Sequence, residues 1–139
     1  MDQRQHVMVI DDDAQLVDTV QTLLEGVGYR VSYAYQAEKG TELARQIKPD
    51  LILLDILFAA PPGPDGLQIS RQLREDPVLK GTPVIILSGV RKLLDMRLKM
   101  EPDDAYMPVT AFLEKPFKPQ ELLAAIEKIL GPQVQVPTP

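Results

Sequence analysis

Four aspartates are the residues of this chain whose type and placement can do chemistry. Asp11, Asp12 and Asp13 follow the apolar run Val7-Met8-Val9-Ile10 without a break, and Asp55 follows Leu51-Ile52-Leu53-Leu54 in the same way. Short, branched apolar runs read as strands buried on both faces. Each run therefore delivers carboxylates at its C-terminal end. Carboxylates gathered in one place repel one another strongly unless a cation sits among them. Oxygen donors without His or Cys suit a hard ion, Mg²⁺ or Mn²⁺, and not zinc. A plainer role competes for the triplet, because an Asp ahead of a helix caps its first turn. A run of three, with a fourth acid at a second strand end, favours the metal. Two more side chains stand at strand ends. Lys115 precedes Pro116 and is able to pair with a carboxylate or a bound phosphoryl group, and X-Pro bonds are where cis peptides cluster. Ser88, directly after Ile85-Ile86-Leu87, offers a hydroxyl to a phosphoryl oxygen or to a helix N-cap.

The elements that must position these residues alternate along the chain. Strands are expected at 7–10, 30–34, 50–54, 83–87 and 110–114. Between the first two, Leu16, Val17, Val20, Leu23, Leu24 and Val27 recur at helical spacing, with Gly26 and Gly28 as the stop. Ala37, Leu43, Ala44 and Ile47 mark a second helix ended by Pro49. Leu67, Ile69 and Leu73 mark a third. Pro119 opens a last helix striped by Leu122, Leu123, Ile126, Ile129 and Leu130 and closed by Gly131. The segment after Ser88 is less regular, because Glu101-Pro102-Asp103-Asp104 interrupts its helical pattern. Strands separated by helices imply right-handed parallel crossovers and a sheet covered on both faces. The fold class is α/β, a flavodoxin-like doubly wound sheet of five parallel strands in the order 2-1-3-4-5, with helices on both faces. That order makes the first and third strands neighbours, so Asp11, Asp12 and Asp55 meet where such sheets bind their ligands.

Composition sets limits. The 139 residues suffice for one domain with a substantial core, and 45% hydrophobic with 25% charged residues is an ordinary globular balance. A net charge of -5 argues against nucleic acid as the direct partner. The absence of Cys excludes disulfides and thiolate chemistry. The first residues carry no apolar leader, and no run approaches the ~20 apolar residues of a membrane span. A cytoplasmic protein with no membrane contact is the expectation. His6 is expected at the solvent and is given no catalytic role. Residues 1–131 are expected to form the domain, and 132–139 a flexible tail or linker.

Taken together, Val9-Ile10-Asp11-Asp12-Asp13, Leu53-Leu54-Asp55-Ile56, Pro64-Asp65-Gly66-Leu67, Ile86-Leu87-Ser88-Gly89 and Leu113-Glu114-Lys115-Pro116-Phe117 resemble the receiver domain of two-component response regulators, across about residues 6–130. Each motif is weak alone; their order, spacing and strand-end positions make the set specific. The resemblance implies that Asp55 accepts a phosphoryl group in a Mg²⁺-dependent reaction. Asp12 would ligate the ion directly and Asp11 partly through water, with Asp55 and the backbone carbonyl of Leu57 completing the protein ligands. Asp13 falls at a variable position and is not a ligand. Lys115 would grip the phosphoryl group, with Ser88 as the switch hydroxyl and Phe112 as the switch aromatic. The phosphodonor would be a sensor histidine kinase or a phosphotransfer protein. The output would be a rearranged face, made by the segment after the fourth strand, the fifth strand and the last helix, that binds an unknown downstream protein. Such a domain is not an enzyme beyond its own phosphorylation and dephosphorylation.

The chain departs from the family pattern in two places. The 58–64 loop beside Asp55 is a few residues longer than usual and rich in Ala and Pro. The 90–109 segment is also long, with Met96, Met100 and Met107 among basic residues and Pro102-Asp103-Asp104-Ala105-Tyr106 as a distant echo of the usual turn. Residues 133–139 are too few for an output domain, so the chain is expected to be either a stand-alone regulator or a piece of a longer protein. Two rivals remain. One is a receiver-like binding module that signals without phosphorylation, which the complete Asp11, Asp12, Asp55, Ser88 and Lys115 set argues against. The other is a small phosphohydrolase with Asp55 as nucleophile, which would need a second acid where Leu57 stands and a cap over its substrate.

Overall fold

The computed structural model describes residues 4–55, 66–89 and 111–131. Five parallel strands, β1 (His6–Ile10), β2 (Arg30–Ala34), β3 (Leu51–Asp55), β4 (Val84–Gly89) and β5 (Ala111–Lys115), form one sheet in the order β2-β1-β3-β4-β5. The described helices are α1 (Ala14–Gly26), α2 (Ala37–Ile47), α3 (Gly66–Glu75) and α4 (Pro119–Leu130). The 58–64 loop, Leu57, the 90–109 segment and the 132–139 tail lie outside the described residues. No helix among the described residues is long and apolar enough to cross a membrane.

The apolar runs are strands because both of their faces are covered. Side chains alternate along a strand. Met8, Ile10, Ile52, Leu54 and Ile86 accordingly pack under α2 and α3 with Ala37, Ala44 and Leu73, while Val7, Val9, Leu51, Leu53, Ile85 and Leu87 pack under α1 and α4 with Val17, Val20, Leu24, Leu122 and Ile126. Every residue of β1 and β3 is buried. Helix ends follow their local chemistry. Asp13 Oδ1 accepts from the Gln15 and Leu16 N–H groups at 3.1 Å each and caps α1. Past its C-cap Val27, Gly28 takes φ 103°, a conformation suited to glycine. At α4, Glu121 Oε1 accepts from the Lys118 N–H at 3.0 Å, and Pro119 occupies the first turn.

Three strands and one residue correct the expectations from sequence: β3, β4 and β5 each start one residue later than expected and run further. Asp55 and Lys115 do not follow their strands but close them, because the ladder continues one rung past the apolar run, pairing Asp55 with Leu87 and Lys115 with Gly89. β4 likewise runs through Ser88 and Gly89. His6 is not at the solvent. It starts β1 and is 6% exposed.

Gly40 in α2 shows how tightly a helix sits on β1. A Cβ there would meet Cδ1, Cγ1 and Cγ2 of fully buried Ile10 at 2.8, 2.9 and 3.0 Å. Alanine gains about 1 kcal/mol of helix propensity over glycine, while overpacking a tight core costs about 1–3 kcal/mol. Gly40→Ala is expected to lose about 1 kcal/mol net in urea denaturation, with part of the loss recovered when Ile10→Val removes Cδ1.

A second lock ties α2 to the turn after α3. Asp76, 5% exposed, accepts from the Val78 N–H at 2.8 Å and the Leu79 N–H at 3.3 Å, and from Arg45 Nε on α2. The Val78 amide, with the Arg45 guanidinium behind it, holds this carboxyl below the usual carboxylate range against the opposing effect of burial. A carboxyl whose folded value is depressed contributes stability above its unfolded value of about 3.9, and that stability disappears as pH falls through the folded value. Asp76→Asn is therefore expected to melt lower than the unsubstituted chain near neutral pH, with the gap closing in acid below about pH 4.

Candidate functional site

The acids gather as their strand positions require. β1 and β3 are neighbours, so Asp11 and Asp12 at the end of one meet Asp55 at the end of the other. One carboxylate oxygen from each of the three lies within 4.8 Å of the others. Asp11 is fully buried, Asp55 is 4% exposed and Asp12 is open to solvent. Asp11 is fixed on several sides. Its N–H donates to the Ala34 carbonyl at 3.2 Å, prolonging the β1–β2 ladder, and its Oδ1 accepts from the Asp13 N–H at 2.9 Å. Lys115 arrives from β5, two strands from β3 and three from β1, its Nζ 2.8 Å from Asp11 Oδ2 and 3.6 Å from Asp55 Oδ1. The Lys115–Pro116 peptide is cis.

Two unit charges 4.8 Å apart repel by about 3 kcal/mol at an effective dielectric constant of ~20. Three carboxylates at this spacing need positive charge, and the Lys115 ammonium supplies part of it. The donors are all oxygen, two of the three residues are buried, and the exposed third keeps the site open to water. This is the donor chemistry of a hard divalent ion that retains several waters. Asp13 turns away to cap α1, while Asp11 and Asp12 face Asp55.

Backbone register places the remaining expected residues. Ser88, on β4, pairs with Glu114 one rung short of Lys115, and Phe112 on β5 pairs with Ile86. The Ser88 hydroxyl and Phe112 ring lie outside the described atoms, as does Leu57. Sequence reasoning did not single out an apolar cleft of about 400 Å³ beside the cluster, where Leu16, Val20 and Leu23 of α1 face Lys115, Phe117 and Pro119. Its signal was present in the α1 stripe, whose Leu16 and Leu23 remain only partly covered.

The family model for the response regulator receiver domain matches residues 7–127. The chain belongs to that family. As a receiver it is 33% identical over 125 residues to the DNA-binding response regulator MtrA of Mycolicibacterium paratuberculosis, covering 88% of this chain and 50% of MtrA. It is 34% identical over 131 residues to the DNA-binding dual master transcriptional regulator RpaA of Synechocystis, covering 94% of this chain and 51% of RpaA. The receiver thus spans about half the length of the curated relatives it matches. Solved structures agree on the fold. A response regulator receiver domain protein from Clostridium thermocellum superposes with TM-score 0.75 at 25% identity, covering 91% of this chain and 94% of that one. The receiver domain of the sensor histidine kinase PA1611 from Pseudomonas aeruginosa, solved with a magnesium ion coordinated in its active site cleft, gives TM-score 0.76 at 23% identity, covering 93% and 99%. Receiver domains are signalling domains of two-component systems, and this chain is one of them.

Proposed function

We propose that this receiver takes a phosphoryl group from a histidine kinase or phosphotransfer protein onto Asp55, and that the acyl phosphate so formed resets a protein-binding face. The observation that carries the proposal is the convergence on one point of Asp11, Asp12, Asp55 and the Lys115 ammonium from three different strands. A binding module that signals without phosphorylation has no need of buried Asp11 held against a lysine.

Asp55 and Asp12, with Asp11 acting partly through water and the Leu57 carbonyl, would hold Mg²⁺, Mn²⁺ being a workable substitute. When bound, the ion supplies positive charge to the equatorial phosphoryl oxygens and aligns donor with acceptor. An Asp55 carboxylate oxygen attacks phosphorus, the new P–O bond forms as the donor's P–N bond breaks, and the departing imidazole takes a proton from solvent. A carboxylate is a weak nucleophile until the charge of the incoming phosphoryl group is screened. Lys115, 3.6 Å from Asp55, provides that screening from the β5 side and holds a phosphoryl oxygen afterwards. Ser88, whose backbone pairs one rung short of Lys115, would be drawn towards the acyl phosphate, with Phe112 filling the space it leaves; this would bias the segment after β4, with β5 and α4, between two packings. The apolar cleft beside Lys115 gives an incoming donor protein a contact surface within reach of Asp55. The output is a downstream protein partner, and no direct contact of this domain with nucleic acid is required.

The test is a time course of intact mass with acetyl phosphate. The chain should gain one phosphoryl group with Mg²⁺ present and none with a chelator. Steady release of phosphate from many small esters would instead mark a hydrolase.

A further inference from the structure

His6 is the single histidine of the chain, and it is buried in a polar network at the end of β1 away from the acids. Its Nε2 lies 2.7 Å from Ser32 Oγ and its Nδ1 2.8 Å from Arg30 Nη2, both partners on β2. Its backbone N–H donates to Asp50 Oδ2 at 2.7 Å, and its carbonyl accepts from the Asp50 N–H at 2.8 Å.

A histidine against a serine invites the reading of a base activating a nucleophile, but the other ring nitrogen excludes it. A guanidinium only donates, so the Nδ1 facing Arg30 must accept. The ring proton is then on Nε2, which donates to Ser32 Oγ and has no lone pair with which to take a proton from it. The same logic fixes the charge. The contact with Arg30 requires a neutral imidazole, because a proton on Nδ1 would set two donors and two positive charges against each other at 2.8 Å.

Among the described residues, the charged groups at this end of β1 come from several elements. Arg30 reaches in from β2. Asp50, ahead of β3, has one oxygen committed to the His6 backbone. Lys48, closing α2 just before it, and Arg4, two residues ahead of the start of β1, are both exposed. Among these groups Asp50 favours an imidazolium, and Arg30 opposes it by direct contact with the titrating nitrogen.

We propose that His6 is a proton-operated latch between β1 and the edge strand β2, closed when the ring is neutral and released on acidification. The folded chain then binds fewer protons than the unfolded chain around pH 6, so stability falls as pH falls through the imidazole range. This inference is independent of the phosphoryl chemistry.

The test is proton NMR titration of the imidazole C–H resonances of the full chain, which need no assignment because there is one histidine. The resonances are expected to hold their neutral positions to at least about one unit below the ordinary histidine midpoint of about 6.5. In Arg30→Gln they should move at that ordinary midpoint. In parallel, the melting temperature should fall by about 4 °C between about pH 7.5 and about pH 5.5, and stay level in His6→Gln, whose amide can replace the neutral ring. A wild-type titration at or above the ordinary midpoint overturns the proposal, and so does a melting profile in His6→Gln parallel to that of the unsubstituted chain. Should either variant fail to fold, the wild-type titration alone decides.

Discussion

Lys115→Ala is expected to take up a phosphoryl group from acetyl phosphate about 10²–10³-fold more slowly, the usual loss when one preorganised charge at a reacting oxygen is removed. A second effect separates this role from a merely structural one. Lys115 is also the counter-charge of fully buried Asp11, 2.8 Å away. Removing one partner of such a pair leaves an uncompensated charge inside the protein, at a cost on the order of 3 kcal/mol. Without divalent ion the variant should melt well below the unsubstituted chain. Added Mg²⁺ replaces part of the missing charge, so it should raise the variant's melting temperature more than it raises that of the unsubstituted chain. Uptake should remain slow in the ion-loaded variant, because nothing then grips the phosphoryl oxygen from the β5 side. Calorimetric scans with and without Mg²⁺, beside a mass time course, read both effects. An equal Mg²⁺ shift in the two proteins would remove Lys115 from the cluster's charge balance.

Asp12→Asn should show the opposite pattern. Asp12 is the exposed member of the trio, so its removal leaves no cavity and relieves a solvent-screened repulsion with the two buried carboxylates. Free of divalent ion, the variant should be as stable as the unsubstituted chain or more so. What it loses is affinity for the ion. Even indirect supports of a metal site cost about 10–100-fold in affinity when removed, and a direct ligand should cost at least as much. Saturating Mg²⁺ at 100 times its dissociation constant stabilises a protein by about 2.7 kcal/mol, and at that same concentration about half of this gain or more should vanish in Asp12→Asn. A variant that binds Mg²⁺ as tightly as the unsubstituted chain would move the ligand role elsewhere.

The site was readable in the sequence because its residues stand where the local pattern changes. The pair Asp11-Asp12 and the single Asp55 each follow an uninterrupted apolar run, and burial on both faces of a parallel sheet explains those runs. Topology then makes their meeting unavoidable, since β1 and β3 are adjacent in any sheet of this order. Strand ends were off by one at Asp55 and Lys115 because hydrophobicity stops where the core stops, whereas backbone pairing continues to the rim. Residue type does not separate Asp13 from its neighbours; the resemblance set it apart as a variable position, and its side chain caps α1. His6 was misplaced because a polar residue at a strand start normally marks the surface. Its partners, Arg30 and Ser32, are visible only once the β1–β2 register is known. Gly40 was silent for a related reason. A glycine inside a helix carries no turn signal, and its cause is the Ile10 side chain packed across from it.

Peptide-level mass spectrometry after brief exposure of the full chain to acetyl phosphate and Mg²⁺ is the most direct measurement of the central claim. Phosphoryl capture at the acid cluster predicts a single hydroxylamine-labile phosphoryl group on the peptide containing Asp55, lost on chelation and absent in Asp55→Asn. A stable phosphoryl group on any other residue, or none at all in a chain shown to be loaded with Mg²⁺, would contradict it.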